Sequence, residues 1–382
     1  MDNFRNEYDY LVHLVKCAMR DLQPSEIPEN LSFRKVFEIG KKHEVGNIAY
    51  ISLQKLHNKP DAEILKEWKT FYAFSVTRNA NQFEVRDTIL DIFAQNGIRS
   101  LEVQGTVIKS LYPSPEWRMM TDIDFIVDRE NLTKVKKLFE QKEYNPTYAV
   151  GDDLEPVEVG SYADYHTLIE VHSEFFENSK YEVYGSITHP FENATPTGEK
   201  LCYKVDDTTF YLYSILHTVK HYLGKGCGIR RILDVYVLNQ KLGDKIDKDR
   251  VECVFSRSGL ADTVAELFDL SEKWFGDNLS ERDLSKAEEI VFMSGNHGTD
   301  VIKYKRRLEK SGQNVIIFRI ISLLSRIFLS KKEIYSTYPY CKEHNLPIVL
   351  CWFYRWGCLI FLKEYRKKAK KTITIIKNTK QK

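Results

Sequence analysis

Apolar positions recur at helical spacing through the first quarter of the chain. Tyr10, Leu11, Leu14 and Val15 are followed by Cys17, Ala18 and Leu22, and Pro24 and Pro28 end the run. A second helix is predicted over 31–42, and a further helical piece over 43–56. After Pro60 and Asp61 a long helix runs through Trp68, Phe71 and Phe74 toward Phe93, continuous or broken once along its length. Asn96-Gly97 is a stop signal. These stripes point to packing rather than chemistry, in a helical cap or substrate-side region.

From 98 onward the period shortens. A strand is predicted over 98–103, a glycine turn at Gly105-Thr106, a helix over 107–112 and a strand over 122–127. An amphipathic helix over 131–142 puts Leu132, Val135, Leu138 and Phe139 on one face. A strand over 144–150, a turn over 151–153, and a hairpin from 157–160 and 166–175 follow. Helical spacing returns after Asp206, over 210–223, 229–242, 251–255, 260–274 and 284–294. Two apolar runs, 315–329 and 348–362, precede a basic end over 363–382 that reads as solvated and partly disordered. The predicted fold class is α+β: a helical region (1–97), a mixed-sheet core (98–200), a helical domain (201–345), and an apolar helix with its tail (346–382).

The chemistry sits in the middle of this pattern. Asp122 and Asp124 are two apart on a strand, so their side chains share a face, while Ile123 and Phe125 point to the other. Paired carboxylates repel, and a divalent cation is the usual remedy. Glu170 and His172 share a face of a later strand in the same way. His172 is placed to orient Glu170 or to touch phosphate, or to serve a structural hydrogen bond. The Gly105-Thr106 turn opens a helix, a geometry that presents backbone N–H groups to an anion. Arg118, just before the aspartates, is a phosphate clamp or their neutralising partner. Lys109, one turn into the helix, either reaches toward phosphate or is solvated. His217 and His221 share a helix face, but no Glu follows His217, so the His-Glu-x-x-His zinc pattern is absent.

Composition narrows the function class. The 382 residues carry a net charge of only +2, which argues against a non-specific binder of long nucleic acid. The 7 cysteines are scattered, without CxxC spacing, which argues against a disulfide framework or a zinc site. The acidic start lacks the form of a signal peptide, so a cytoplasmic place is expected. The run PIVLCWFYRWGCLIFL falls short of a membrane span and contains Arg355. It reads as a core helix or as a helix lying on a membrane surface.

The stretch around Gly105-Thr106, Leu111-Tyr112-Pro113, Arg118 and Asp122-Ile123-Asp124 resembles the uncharacterised nucleotidyltransferase family of the DNA polymerase beta superfamily. His43-Glu44-Val45, Glu170-Val171-His172, His217-x-x-Lys220-His221 and Asp234 add to the likeness, which spans roughly residues 40 to 240. The resemblance implies a minimal nucleotidyltransferase core. It also implies transfer of a nucleoside monophosphate from an NTP, ATP first, with Mg²⁺ (or Mn²⁺) held by Asp122, Asp124 and Glu170. Gly105, Thr106, Lys109, Arg118, His172, Lys220, Arg230 and Arg231 would contact the nucleotide, and Asp234 would pair with Lys220, Arg230 or Arg231. The implied acceptor is a hydroxyl of a small molecule or protein. Two departures stand out: Gln104 precedes Gly105 where the family commonly has lysine, and Thr106 follows it. The alternative is an inactive nucleotide-binding or interaction protein that keeps the fold.

Overall fold

The computed structural model describes residues 5–150, 156–176, 189–277 and 280–361, with 363, 373 and 374. The turn expected over 151–153 and most of the basic end lie outside these residues. Four helices come first: α1 (Arg5–Met19), α2 (Phe33–Lys42), α3 (Gly46–Leu53) and α4 (Ala62–Gln95). Asp61 starts α4 by accepting a hydrogen bond from the Glu63 N–H at 2.8 Å. The helix is unbroken over 34 residues, about 50 Å at 1.5 Å per residue.

Next come β1 (Ser100–Val103), α5 (Gly105–Lys109), β2 (Asp122–Val127), α6 (Leu132–Gln141), β3 (Thr147–Val150), β4 (Pro156–Tyr162), β5 (Leu168–His172), β6 (Thr195–Pro196) and β7 (Cys202–Lys204). The sheet order is β3-β4-β5-β2-β1-β7-β6. β2 lies between antiparallel β1 and parallel β5. The hairpin expected from 157–160 and 166–175 is present as antiparallel β4 and β5.

Helices complete the described chain: α7 (Asp207–Gly224), α8 (Ile229–Leu242), α9 (Lys248–Arg257), α10 (Ala261–Phe275), α11 (Ser285–Ser294), α12 (Asp300–Ser311), α13 (Val315–Ile327), α14 (Lys331–Thr337), α15 (Pro339–Glu343) and α16 (Ile348–Phe361). Strands β6 and β7 and helices α12, α14 and α15 were not anticipated from the pattern. Each is short or, in α12, strongly charged, so its apolar signal is thin.

Two cores meet at the sheet. On one face Ile123, Phe125, Val127, Ile169 and Val171 pack with Val85, Ile89 and Phe93 of α4 and with Leu132, Val135 and Phe139 of α6. A larger core joins α1–α3 and the start of α4 to Leu101, Val103 and Ile126 of the sheet and to α7–α11. The N-terminal helices and the helices after the sheet therefore share one hydrophobic interior.

Trp68 anchors the first half of α4 in that interior. It is fully buried against Phe33 and Phe37, and its indole N–H donates to the Gly46 carbonyl at 2.5 Å. Trp68→Ala removes both packing and a hydrogen bond. The expected loss is about 3–5 kcal/mol, read as a lower urea midpoint. A loss under about 1 kcal/mol would show that α4 is not held there.

Candidate active site

The strand register assembles the site. Within the parallel β2–β5 pair Asp124 lies beside Glu170 and Ile126 beside His172. Across the antiparallel β4–β5 pair Glu158 lies beside His172 and Gly160 beside Glu170. Directly paired residues share a face, so Asp122, Asp124, Glu170, His172 and Glu158 stand together. Gly160 carries no side chain to cover the Glu170 carboxylate. His172 Nε2 is 3.4 Å from Asp124 and 3.8 Å from Glu170, and its Nδ1 is 3.5 Å from Glu158. The side chains of Asp124, His172 and Glu170 keep 11%, 19% and 30% of their exposure, so solvent reaches them.

The acids are in electrostatic conflict. Burial first, then Asp124, Asp122 and Glu158, push the Glu170 carboxyl up to about 8. Burial and then Asp124 raise the Asp122 carboxyl, with Arg230 and Arg231 opposing. Asp124, Glu170 and His172 each offer a ligand atom, and these atoms lie within 4.8 Å of one another. Two carboxylates and an imidazole in that spacing fit a divalent cation. Asp122, expected from the sequence as a ligand, is outside that trio and stands beside it on β2.

The β1–α5 turn shows strain. Gln104 has φ +56° and ψ −119°, a conformation that suits glycine and costs about 1–3 kcal/mol elsewhere. Its amide nitrogen is buried without a partner among the described residues. Gly105 follows where a Cβ would lie 3.0 Å from Met120 Sδ and 3.1 Å from Arg118 Nη1. Only glycine lets the segment carrying Arg118 and Met120 approach this closely. The Thr106 hydroxyl donates back to the Val103 carbonyl at 3.3 Å.

Several expected nucleotide contacts are engaged inside the protein. Arg118 is buried in a two-pronged ion pair with Asp234, at 2.8 and 2.9 Å. Tyr112 donates to the same carboxylate at 2.7 Å. Burial would raise Asp234, but Arg118 overrides it and holds the carboxyl low. The two sequence readings of Arg118, phosphate clamp and partner of the Asp pair, both give way to this third arrangement. Asp234, expected to pair with Lys220, Arg230 or Arg231, pairs with Arg118 instead. Lys109 is also corrected. Neither solvated nor free, its ammonium lies 2.5 Å from Asn79 Oδ1 of α4, and burial first lowers it to about 7. Arg230 pairs with Glu44 at 2.9 Å and donates to the Met119 carbonyl.

α7 and α8 contribute the remaining groups. Lys220 is exposed on α7. His217 and His221 approach at 2.7 Å between Nε2 atoms, and burial first keeps both rings neutral. Tyr213 of α7 is buried and raised, with Asp124 and Asp122 adding to the effect of burial. The Arg231 Nε–H is buried with no partner among the described residues, and burial and then Arg230 lower its affinity for protons. Sequence reasoning missed Glu158 and Tyr213. Glu158 was legible in principle, two residues before Gly160 on the expected hairpin.

The loop leading into β2 is held from several sides. Asn47 of α3 donates to the Glu116 and Trp117 carbonyls, each at 2.8 Å. From α4, Gln82 donates to the Met120 carbonyl at 3.0 Å and Arg78 to the Met120 and Thr121 carbonyls at 3.2 and 3.4 Å.

Comparisons with known proteins bear on this arrangement. The family described as "uncharacterised nucleotidyltransferase" matches residues 29–276. No curated protein matches the chain. Among solved structures, the solution structure of the antibiotic-resistance factor ANT(2'')-Ia is similar over 51% of this chain and 99% of that chain, at 11% identity and a TM-score of 0.34. The weight therefore rests on the family match, which covers well over half the sequence and takes in both the acid cluster and the loop that positions it: the chain belongs to the uncharacterised nucleotidyltransferase family.

Proposed function

We propose that the protein transfers a nucleoside monophosphate from an NTP, ATP being the first to test, to a hydroxyl of a small molecule or a protein. The observation that carries this is the Asp124–Glu170–His172 cluster on adjoining strands, with Asp122 beside it. In the proposed step the acceptor oxygen bonds to the α-phosphorus and the bond to the bridging oxygen breaks. Pyrophosphate leaves, and the hydroxyl proton passes to the Glu170 carboxylate. Asp124, Glu170 and His172 would hold Mg²⁺ (or Mn²⁺), which would supply positive charge to keep the carboxyls ionised and to offset a triphosphate.

Arg231 takes the phosphate-contact role in this reading, because its guanidinium carries a buried donor without a partner among the described residues. Exposed Lys220 and the backbone N–H groups of Gly105 and Thr106 add to it. Arg118, Lys109 and Arg230 act by positioning, since each already holds an internal partner. The cytoplasm suits this reading, with the seven cysteines all unpaired. A second reading, nucleotide binding without turnover, is favoured by Gln104 where the family commonly has lysine. Turnover assays of the variants below separate the two.

With labelled ATP and a panel of hydroxylated acceptors, Asp124→Asn should reduce transfer to background. Glu170→Gln should lower kcat by about 10²–10⁴-fold. Arg231→Ala should raise KM for the nucleotide by about 10–100-fold, the loss of a charged hydrogen bond. Wild-type and Asp124→Asn protein transferring at the same rate would remove the mechanism.

The raised Glu170 carboxyl also links stability to pH. The folded state holds this proton up to about pH 8, while the unfolded chain releases it near the ordinary 4.5. Stability therefore falls as pH rises between these values. Mg²⁺ replaces the proton, so it should raise Tm more at about pH 8 than at about pH 6. In Glu170→Gln the dependence of the Mg²⁺ effect on pH should flatten. An equal Mg²⁺ shift at both pH values in wild type would contradict the linkage.

A further inference from the structure

Helix α13 is turned inside out. Ile316, Ile317, Ile320, Ile321, Leu324 and Ile327 fall on one side of it, and each is 44–64% exposed. Its opposite side, with Phe318 and Ser322, is the buried one. α16 repeats the arrangement: Val349, Leu350, Phe353, Ile360 and Phe361 share a side and are 50–81% exposed. The two apolar sides are joined by aromatic rings. Exposed Phe328 meets Trp352 at 5.1 Å and Trp356 at 5.9 Å, and Trp356 meets Phe353 at 5.3 Å. Arg355 crosses beneath, donating to the Arg326 and Ile327 carbonyls, so the two helices are fixed to each other.

Charge identifies what covers this surface. Residues 315–382 hold 15 Lys and Arg against 3 Asp and Glu, a net +12. Residues 1–314 hold the other 41 against 51, a net −10. Of the basic residues, 9 fall in 362–382, directly after α16. A second copy of the same face would bring like charges together, which opposes a symmetric dimer. α13 and α16 have 13 and 14 residues, and no described helix is long and apolar enough to cross a membrane. Short helices with an exposed apolar side, tryptophans at the edge and an adjoining run of lysines match a bilayer surface of negative charge.

We infer that the face formed by α13 and α16 docks on an anionic lipid surface, with the basic segment after α16 drawing it to the headgroups. This is independent of the transfer reaction proposed above. It widens the membrane-surface reading of the last apolar run to include α13, whose exposed side the sequence alone did not reveal.

The test is sedimentation of the full-length protein with vesicles of phosphatidylcholine alone, and of phosphatidylcholine with phosphatidylglycerol. The protein should pellet with the anionic vesicles and stay largely in solution with the neutral ones. The combined variant Ile317→Asp, Ile320→Asp and Leu324→Asp changes exposed positions only, so its circular dichroism and Tm should match wild type. It should bind anionic vesicles about tenfold more weakly. Changing Lys367, Lys368, Lys370 and Lys371 to Gln should weaken binding and reduce its dependence on salt. Failure to pellet with either vesicle would overturn the proposal. So would anionic binding that the three aspartates leave unchanged. A dimer in sedimentation velocity that those aspartates dissolve, without vesicle binding, would assign the face to a second copy instead.

Discussion

The Arg118–Asp234 pair is the constraint on which the site depends. A guanidinium and a carboxylate are taken out of water together, and burial of two ions is costly unless every hydrogen-bonding direction is met. Here the fork of Arg118 meets both oxygens of Asp234, Tyr112 meets one of them again, and Arg118 Nη1 is 3.4 Å from the Gly105 carbonyl. One pair thus ties α8 to the glycine turn and to the loop before β2. The same loop has its Glu116, Trp117, Met119, Met120 and Thr121 carbonyls held by side chains of α3, α4 and α8. A strand bearing like charges needs such restraint, because its own side chains push it apart.

The same network explains why the acids stay in conflict. Arg118 is committed to Asp234, Arg230 to Glu44 and Lys109 to Asn79. His217 and His221 lie on the helix that carries Tyr213 but remain neutral, so they bring no charge. Arg230 and Arg231 oppose the rise of the Asp122 carboxyl, but burial and Asp124 outweigh them. Glu44 shows the contrast: burial would raise it, yet Arg230 and His297 hold it down at about 2. Glu44, with a dedicated partner, is held low, whereas Glu170, without one, is pushed up to about 8. Stability is given up at Glu170 and Asp122, and the conflict is resolved only by a positive ligand.

Much of this was legible before the fold was known, and what was hidden has a common cause. The range 122–127 and the helix over 229–242 match β2 and α8 to the residue; polar Thr121 and Asp128 flank β2, and Gly228 and Gly243 bound α8. Period two put Asp122 with Asp124 and Glu170 with His172 on shared faces, the family resemblance joined Glu170 to the aspartates, and their adjacency needed only that β2 and β5 be neighbours. The continuity of α4 was left open because its apolar face changes along its length. Ile64 and Trp68 serve one core, and Val85, Ile89 and Phe93 serve the other. The partners of Arg118 and Lys109 were out of reach, since they lie 116 and 30 residues away. Periodicity reports which side of an element is buried, not which distant side chain meets it.

Net charge misled in a different way. A value of +2 describes neither part of the chain, since it averages −10 over residues 1–314 with +12 over 315–382. At physiological salt, charges farther apart than about 8 Å are screened from each other. The basic end therefore does not serve as counter-ion for the acids of the sheet unless it lies directly against them. The protein presents two independent electrostatic problems. In the sheet, carboxylates are concentrated in a half-buried cluster whose ligand atoms fit a divalent cation. At the end, positive charge adjoins exposed isoleucine, phenylalanine and tryptophan. Each combination selects its own class of partner by its local chemistry, and neither is visible in the sum.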